Sequence, residues 1–232
     1  MPKRLLKKGM DLRQRLQQRH PAAFLLAAQF VLLFLHVIIE NDVTGRAVFN
    51  AFGGVVMMMA VWVVFESPAT NWVAWFLAVP AFILSMISAF IQDPTVIAIA
   101  SILEAALYFY GAGALIAHMM KDRNVSLDDF FAAGATFTLL AWGFTYITAA
   151  EHALNPANLI SSVVSGRNLT FLEMLMLSFS NLSATGLSDI LPATKFARAI
   201  VILEQFSGVG YITLVVSRLI SLSVAKVDRQ RK

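Results

Sequence analysis

The sequence contains no cysteine and few charged residues. With no Cys among its 232 residues, the chain cannot form disulfides, thiol nucleophiles or zinc–thiolate sites. Only 14% of the residues are Asp, Glu, Lys or Arg, where soluble globular proteins carry about 25%. Hydrophobic residues make up 58% of the chain, and the mean hydropathy is +0.71. A chain of this length cannot bury so much apolar surface in a core covered by polar residues, so the composition predicts a polytopic membrane protein.

Six apolar stretches are long enough to cross about 30 Å of hydrocarbon. They are residues 21–39, 47–65, 72–90, 95–118, 130–149 and 198–222. A seventh stretch, residues 170–184, would form a helix of only about 22 Å and is too short to cross. We therefore expect an all-α membrane protein with six transmembrane helices and a re-entrant helix followed by a loop.

The basic residues predict how the chain lies in the membrane. With six crossings, 14 of the 18 Lys and Arg residues fall on one side. Loops rich in Lys and Arg remain in the cytoplasm, so both termini are predicted to be cytoplasmic. Residues 1–20 form a basic, amphipathic tail that we expect to lie on anionic lipid. The same bias accounts for the pI of ≈ 9.6 without a nucleic-acid partner.

Basic residues are absent from the fourth predicted span. No Lys or Arg occurs from Thr95 to Met120. A voltage sensor needs several gating charges, each worth about 2.3 kcal/mol per 100 mV. We therefore expect residues 21–120 to form a peripheral four-helix membrane domain that does not sense voltage through arginines.

The short apolar stretch carries the strongest chemical signal, and residues 170–194 read TFLEMLMLSFSNLSATGLSDILPAT. Thr170 and Glu173 have the T-x-x-E spacing of a capping box and predict a helix start. The apolar run stops at residues 183–186, where non-helical backbone is tolerated only if protein or water covers it. The C-terminal end of a helix carries about half a negative charge, which favours a cation at this turn.

This arrangement resembles the pore module of small bacterial six-span potassium-channel-like proteins over roughly residues 130–222. Their T-V-G-Y-G-D filter corresponds to ATGLSD here, with Pro192 in the matching place. The resemblance implies a homotetramer in the bacterial inner membrane, a pore domain at residues 121–232, and K⁺ or Na⁺ as permeant ions without a further cofactor. It implies these site residues: Ala184, Thr185, Gly186, Leu187 and Ser188 in the ion-binding filter, and Asp189 as a ring of carboxylates at the outer mouth.

Three filter positions depart from the family pattern. Ala184 lacks the hydroxyl of the family's first Thr, and Leu187 replaces the Tyr that packs behind the filter. Ser188 replaces the second Gly, which usually has a positive φ, while Gly186 keeps one reversal of carbonyl direction. We therefore predict two ion sites, formed by carbonyls of residues 184–186, and weak selectivity among monovalent cations.

Two acidic residues stand inside predicted spans. Glu104 lies near the middle of the fourth span, where a carboxylate costs about 2.5–3.5 kcal/mol. Ser101 and Tyr108 share its helix face and are predicted as hydrogen-bond partners. A structural bond and a proton- or lipid-responsive role remain open for Glu104. Glu204, in the last span, is expected to form a structural bond near the pore helix.

Gly208 and Gly210 in the last span predict either a gating hinge or close helix packing.

No group of His, Asp or Glu has metal-ligand spacing, so no metal site is expected. Nucleophile, dinucleotide and phosphate-loop motifs are also absent, and we do not expect an enzyme. The sequence thus favours a weakly selective cation channel. The alternative is a channel-derived membrane protein that does not conduct and serves as a sensing or assembly partner.

Overall fold

The structure is a computed structural model, and it is mostly helical. It describes residues 21–39, 53, 54, 56, 59, 71–121, 126–163 and 168–230. The basic tail at residues 1–20 and most of the predicted span 47–65 lie outside the described residues. So do several of the basic residues on which the predicted orientation depends, and that orientation stays a prediction.

Seven α-helices lie in the described part of the chain: α1 (Pro21–Ile39), α2 (Asn71–Ile91), α3 (Pro94–Lys121), α4 (Leu127–Leu154), α5 (Phe171–Leu182), α6 (Lys195–Tyr211) and α7 (Ser217–Gln230). A π-helical turn, Ile212–Val216, joins α6 to α7 without a break in the helix. A 3₁₀ turn, Pro156–Asn158, follows α4.

Four helical segments are long and apolar enough to cross a membrane. They are Trp72–Ile91, Pro94–Lys121, Leu127–Leu154 and Lys195–Val224, the last of which combines α6, the π-helical turn and α7. These four correspond to four of the six predicted spans. The apolar part of α1, Pro21–His36, is shorter. The short helix predicted at residues 170–184 is observed as α5, which at 12 residues would extend about 18 Å.

Two short strands connect the segments on either side of α5. β1 (Leu159–Ser161) pairs antiparallel with β2 (Ile190–Pro192), and Ile160 lies opposite Leu191. The ladder continues beyond the strands, where the Ala193 amide donates to the Asn158 carbonyl at 2.8 Å. These strands were not predicted from the sequence. They hold the two ends of the α5 segment together.

The core contains an aromatic cluster at the interface of α3 and α4. The Tyr108 ring stacks on Trp142 and Tyr146, with centroids 6.2 and 5.5 Å apart. Phe171 is the first residue of α5. Its ring centroid lies 5.6 Å from that of Trp142 and 5.0 Å from that of Tyr146. The first turn of α5 is therefore fixed to the packed core of the preceding helices.

Candidate functional site

Helix α5 begins with a reciprocal capping box. The Glu173 amide donates to Thr170 Oγ1 at 3.2 Å, and the Thr170 amide donates to Glu173 Oε2 at 2.8 Å. The Thr170 hydroxyl also donates to Glu173 Oε2 at 3.0 Å. Such a cap stabilises a helix by about 0.5–2 kcal/mol. The Glu173 carboxylate is engaged at the start of α5, at the opposite end of that helix from the ATGLSD loop (residues 184–189).

At the other end, α5 stops at Leu182 and the chain turns sharply. The amides of Thr185 and Gly186 both donate to the Ser180 carbonyl, at 3.0 and 3.3 Å. The Ser183 hydroxyl donates to the Phe179 carbonyl at 2.7 Å. The last turn of the helix thus satisfies several of its own carbonyls, and the ATGLSD loop is held against the helix end.

Two residues of the ATGLSD loop adopt left-handed backbone conformations. Gly186 has φ +66°, and Ala184 has φ +57°. Since a residue with Cβ pays about 1–2 kcal/mol in this region, Ala184 is strained. Gly186, where the sequence predicts a reversal of carbonyl direction, is thus one of two residues in this loop with a positive φ. Ser188, which replaces the family's second glycine, does not have a positive φ.

Much of the ATGLSD loop is open on the surface of the single chain. Residues 183–187 are exposed, and the Leu187 side chain has 71% of its area accessible. Leu187 therefore does not pack behind the loop as the resemblance implies for the family's Tyr. The backbone that the sequence assigns to an ion site is available for contact with ions or with further copies of the chain.

Asp189 is fixed through its backbone. Its carbonyl accepts from the Ser162 amide at 2.8 Å and from the Ser162 hydroxyl at 3.0 Å. The Ser188 hydroxyl accepts from the Ile190 amide at 3.1 Å. The Asp189 side chain is half-buried and makes no hydrogen bond or ion pair with the residues that the structure describes. The β1–β2 ladder thus fixes the backbone from which the Asp189 carboxylate extends.

A buried bond joins the end of α5 to α6. Asn181 Nδ2 donates to Glu204 Oε2 at 2.9 Å, and Glu204 is 1% exposed. Glu204 Oε1 has no hydrogen-bond partner in the described part of the chain. The Ser178 hydroxyl lies near this carboxylate but outside hydrogen-bond geometry. Glu204 thus makes a structural hydrogen bond near α5, as its sequence position predicts. The donor of that bond, Asn181, also accepts through its backbone carbonyl from the Ala184 amide at 3.0 Å.

Gly208 allows α5 and α6 to approach closely. A Cβ built on Gly208 would lie 2.1 Å from the Leu182 carbonyl oxygen and 2.6 Å from Leu182 Cα. At Gly210 a Cβ would meet nothing within 4 Å. The helix is continuous through both glycines, and its irregular turn, Ile212–Val216, lies after them. Gly208 is therefore a packing residue in this structure.

Glu104 is buried away from the ATGLSD loop, between α2 and α3. The hydroxyl of Ser85 in α2 donates a hydrogen bond to its carboxylate. The predicted bond from Tyr108 is wrong, because the Tyr108 hydroxyl has no hydrogen-bond partner among the described residues. Ser101 shows no bond to Glu104 either. A residue from a neighbouring helix can face the carboxylate directly, whereas these two lie along the same helix.

A short capped helix, a loop with two residues in left-handed conformations and an apolar helix thus follow one another along the chain. Residues 134–224 match the model of a family described as ion channel. The matched segment begins in α4, contains α5, the ATGLSD loop and α6, and ends in α7. It covers less than half of the chain. Comparisons with curated proteins and with solved structures gave no match. Its four apolar helices and this match point to a membrane protein with a segment similar to an ion-channel family.

Sequence reasoning missed two features of the site. Neither β1–β2 nor the left-handed Ala184 was anticipated, and alanine gives no signal for a positive φ. Among the described residues, no group of three or more His, Asp or Glu side chains could hold a metal ion.

Proposed function

We propose that the protein is a homotetrameric cation channel that discriminates weakly between K⁺ and Na⁺ and is not gated by voltage-sensing arginines. The observation that carries this proposal is the ATGLSD loop, with Ala184 and Gly186 in left-handed conformations, held between the capped helix α5 and the β1–β2 ladder within the segment that matches the ion-channel family. Carbonyl groups of residues 184–186 would bind the ion, and four Asp189 carboxylates would concentrate cations at the mouth.

The distribution of buried surface supports assembly into a tetramer. The Lys195–Val224 span is the least buried of the four candidate spans, although it follows the loop that would line the pore. Phe206 is 77% exposed and Leu214 is 69% exposed in the single chain. One loop cannot surround an ion, so four copies would meet around the pore and cover part of this apolar surface. We place the tetramer in the bacterial inner membrane with both termini cytoplasmic and the basic tail on anionic lipid.

The second candidate function is a non-conducting membrane protein that serves as a sensing or assembly partner. The strained Ala184 and the exposed Leu187 favour this candidate. A filter binds ions less well when it lacks the hydroxyl of the family's first Thr and the ring that packs behind the filter backbone. This candidate shares the tetramer and the membrane location, so only a measurement of ion movement distinguishes the two.

Cation flux into liposomes containing the purified protein tests the proposal. We expect K⁺ and Na⁺ to enter at comparable rates, while N-methyl-D-glucamine is excluded by its size. Empty liposomes and liposomes with heat-denatured protein are the controls. An absence of flux from intact tetramers over a wide pH range would overturn the channel proposal and favour the non-conducting one. A strong K⁺ preference would overturn the weak selectivity.

Changing the ATGLSD loop towards the family pattern should alter the selectivity in steps. Leu187→Tyr with Ser188→Gly is expected to raise the K⁺/Na⁺ flux ratio severalfold, because it adds a packing ring and a flexible outer position. Adding Ala184→Thr should lower the thermal stability of the tetramer, since a β-branched residue at φ +57° is a conformational outlier. Flux ratios and melting temperatures are measured for each variant.

Leu191→Tyr is the matched control, because it adds the same ring in β2, outside the loop. An unchanged K⁺/Na⁺ ratio in the double variant, from a tetramer that still conducts, would show that the loop does not determine selectivity.

A further inference from the structure

A cavity of ≈ 690 Å³ lies outside the ATGLSD loop, among α1, α2, α3, α4 and the start of α5. Its lining includes His36, Ser85, Glu104, Tyr146 and Phe171. No residue of the ATGLSD loop lines it. Cavities of about 300–1,000 Å³ are the size that holds drug-sized ligands.

The cavity extends from one end of the helix bundle towards its centre. Residues of the α2–α3 connection, Gln92 and Pro94, line it together with Pro156 and Asn168, which lie in the segment between α4 and α5. Glu104 lies about 15 Å further along α3 than Pro94. In the predicted orientation this end of the bundle faces the outside of the cell.

Glu104 is an acidic residue in the wall of this cavity. It is 4% exposed, and its hydrogen bond comes from the neutral hydroxyl of Ser85. No ion pair joins it to a Lys, Arg or His within the described ranges. A charged carboxylate at this depth is costly unless it is paired, and a bound cation would pair it.

The walls of the cavity favour an organic cation over a metal ion. Ca²⁺ takes six to eight oxygen ligands, and Mg²⁺ needs near-octahedral oxygen coordination. One carboxylate and the Ser85 hydroxyl are too few for either ion. Tyr146 and Phe171, whose ring centroids lie 5.0 Å apart, line the same cavity with aromatic surface. Aromatic faces attract ammonium groups within about 6 Å of the ring centroid.

We propose that this cavity binds an ammonium group, with Glu104 as its counter-ion and Tyr146 and Phe171 as its aromatic wall. The ammonium group belongs either to a free amine from solution or to an ethanolamine lipid headgroup from the surrounding bilayer. Phe171 and Met174 belong to α5 and line the cavity. A bound ligand would therefore contact the helix that leads into the ATGLSD loop and stabilise its position.

Calorimetric titration of the full chain in phosphatidylglycerol nanodiscs tests this site, and it does not depend on whether the protein conducts. The probe is 2-phenylethylammonium, and the neutral 2-phenylethanol has nearly the same shape. We expect the charged probe to bind at least about tenfold more tightly, because a hydrogen bond between charged groups is stronger than one to a neutral hydroxyl. Glu104→Gln should remove this difference.

Asp128→Asn is the matched control, because it removes an acidic charge at the start of α4, and Asp128 does not line the cavity. It should leave the affinity for the charged probe unchanged. If Glu104→Gln does not yield a folded tetramer, Phe171→Leu replaces it and should weaken the charged probe more than the neutral one. Equal binding of both probes, no saturable binding, or full binding by Glu104→Gln would each overturn the proposal.

A second set of nanodiscs distinguishes the two sources of the ammonium group. Phosphatidylethanolamine replaces part of the phosphatidylglycerol, and the titration with 2-phenylethylammonium is repeated. Competition by the ethanolamine lipid would identify the headgroup as the natural occupant. Unchanged affinity would assign the site to a free amine. Both results support an ammonium site.

Discussion

Gly208→Ala is expected to prevent stable packing of α6 against α5, whereas Gly210→Ala should be tolerated. The added Cβ at position 208 would lie 2.1 Å from the carbonyl oxygen of Leu182. Backbone atoms cannot rotate away as a side chain can, so α6 must shift as a whole. Overpacking of this kind costs about 1–3 kcal/mol or more.

At position 210 the same change meets open space within 4 Å. Alanine also favours a helix interior over glycine by about 0.5–1 kcal/mol. The two variants differ only in where one methyl group is placed, so each serves as the control of the other. Melting temperature and elution volume of the purified tetramer measure the effect on packing, and liposome flux measures the effect on the pore.

The pair of variants also separates the two roles that the sequence left open for these glycines. A hinge would make both substitutions change flux while the folded protein keeps its stability. If the glycines serve packing, Gly208→Ala lowers the melting temperature, whereas Gly210→Ala melts at nearly the same temperature as the unchanged protein. If Gly208→Ala melted at the temperature of the original chain, the close approach of the two helices would not exist in the membrane.

The parts of the site that could be predicted rest on local signals. Thr170 and Glu173 stand three residues apart, and that spacing alone determines the cap. The apolar length of residues 170–184 predicts a helix too short to cross, as observed for Phe171–Leu182. Gly186 was expected to keep one reversal of carbonyl direction, and glycine adopts the positive φ observed there without steric cost.

The parts that could not be predicted depend on residues distant in the sequence. β1 and β2 are three residues each, too short for an alternating pattern, and they become strands only because they pair with each other. The partner of Glu104 is Ser85 on another helix, whereas the sequence suggested neighbours on the same helix. Ala184 is left-handed because the turn after α5 requires it, and its side chain gives no indication of this.

Glu204→Leu is expected to be strongly destabilising, and Glu204→Gln much less so. The leucine variant leaves the Asn181 amide buried without its acceptor, which costs about 1–3 kcal/mol. A glutamine at 204 can still accept through its side-chain carbonyl. Ser207→Ala is the control, since the exposed Ser207 hydroxyl bonds only to Leu203 of its own helix. Melting temperatures of the purified tetramers rank these variants.

The Asn181–Glu204 bond should also affect ion movement, because Asn181 connects to two parts of the structure. Its side chain binds α6, while its backbone carbonyl accepts from the amide of Ala184 in the ATGLSD loop. Freed from α6, the end of α5 would no longer position Ala184 in its strained conformation. We expect liposomes with Glu204→Leu to show altered K⁺ and Na⁺ flux, while Ser207→Ala behaves as the unchanged chain does.

A double-mutant cycle with Asn181→Leu and Glu204→Leu shows whether the two residues act as a pair. Asn181→Leu alone leaves a carboxylate in the membrane without its donor and should be the more damaging single change. The double variant removes both polar groups, so its loss of stability should be smaller than the sum of the single losses. Coupling between contacting residues is typically about 0.5–3 kcal/mol. Strict additivity would mean that the 2.9 Å bond contributes nothing to holding α5 against α6, and the position of the ATGLSD loop would then depend on the β1–β2 ladder.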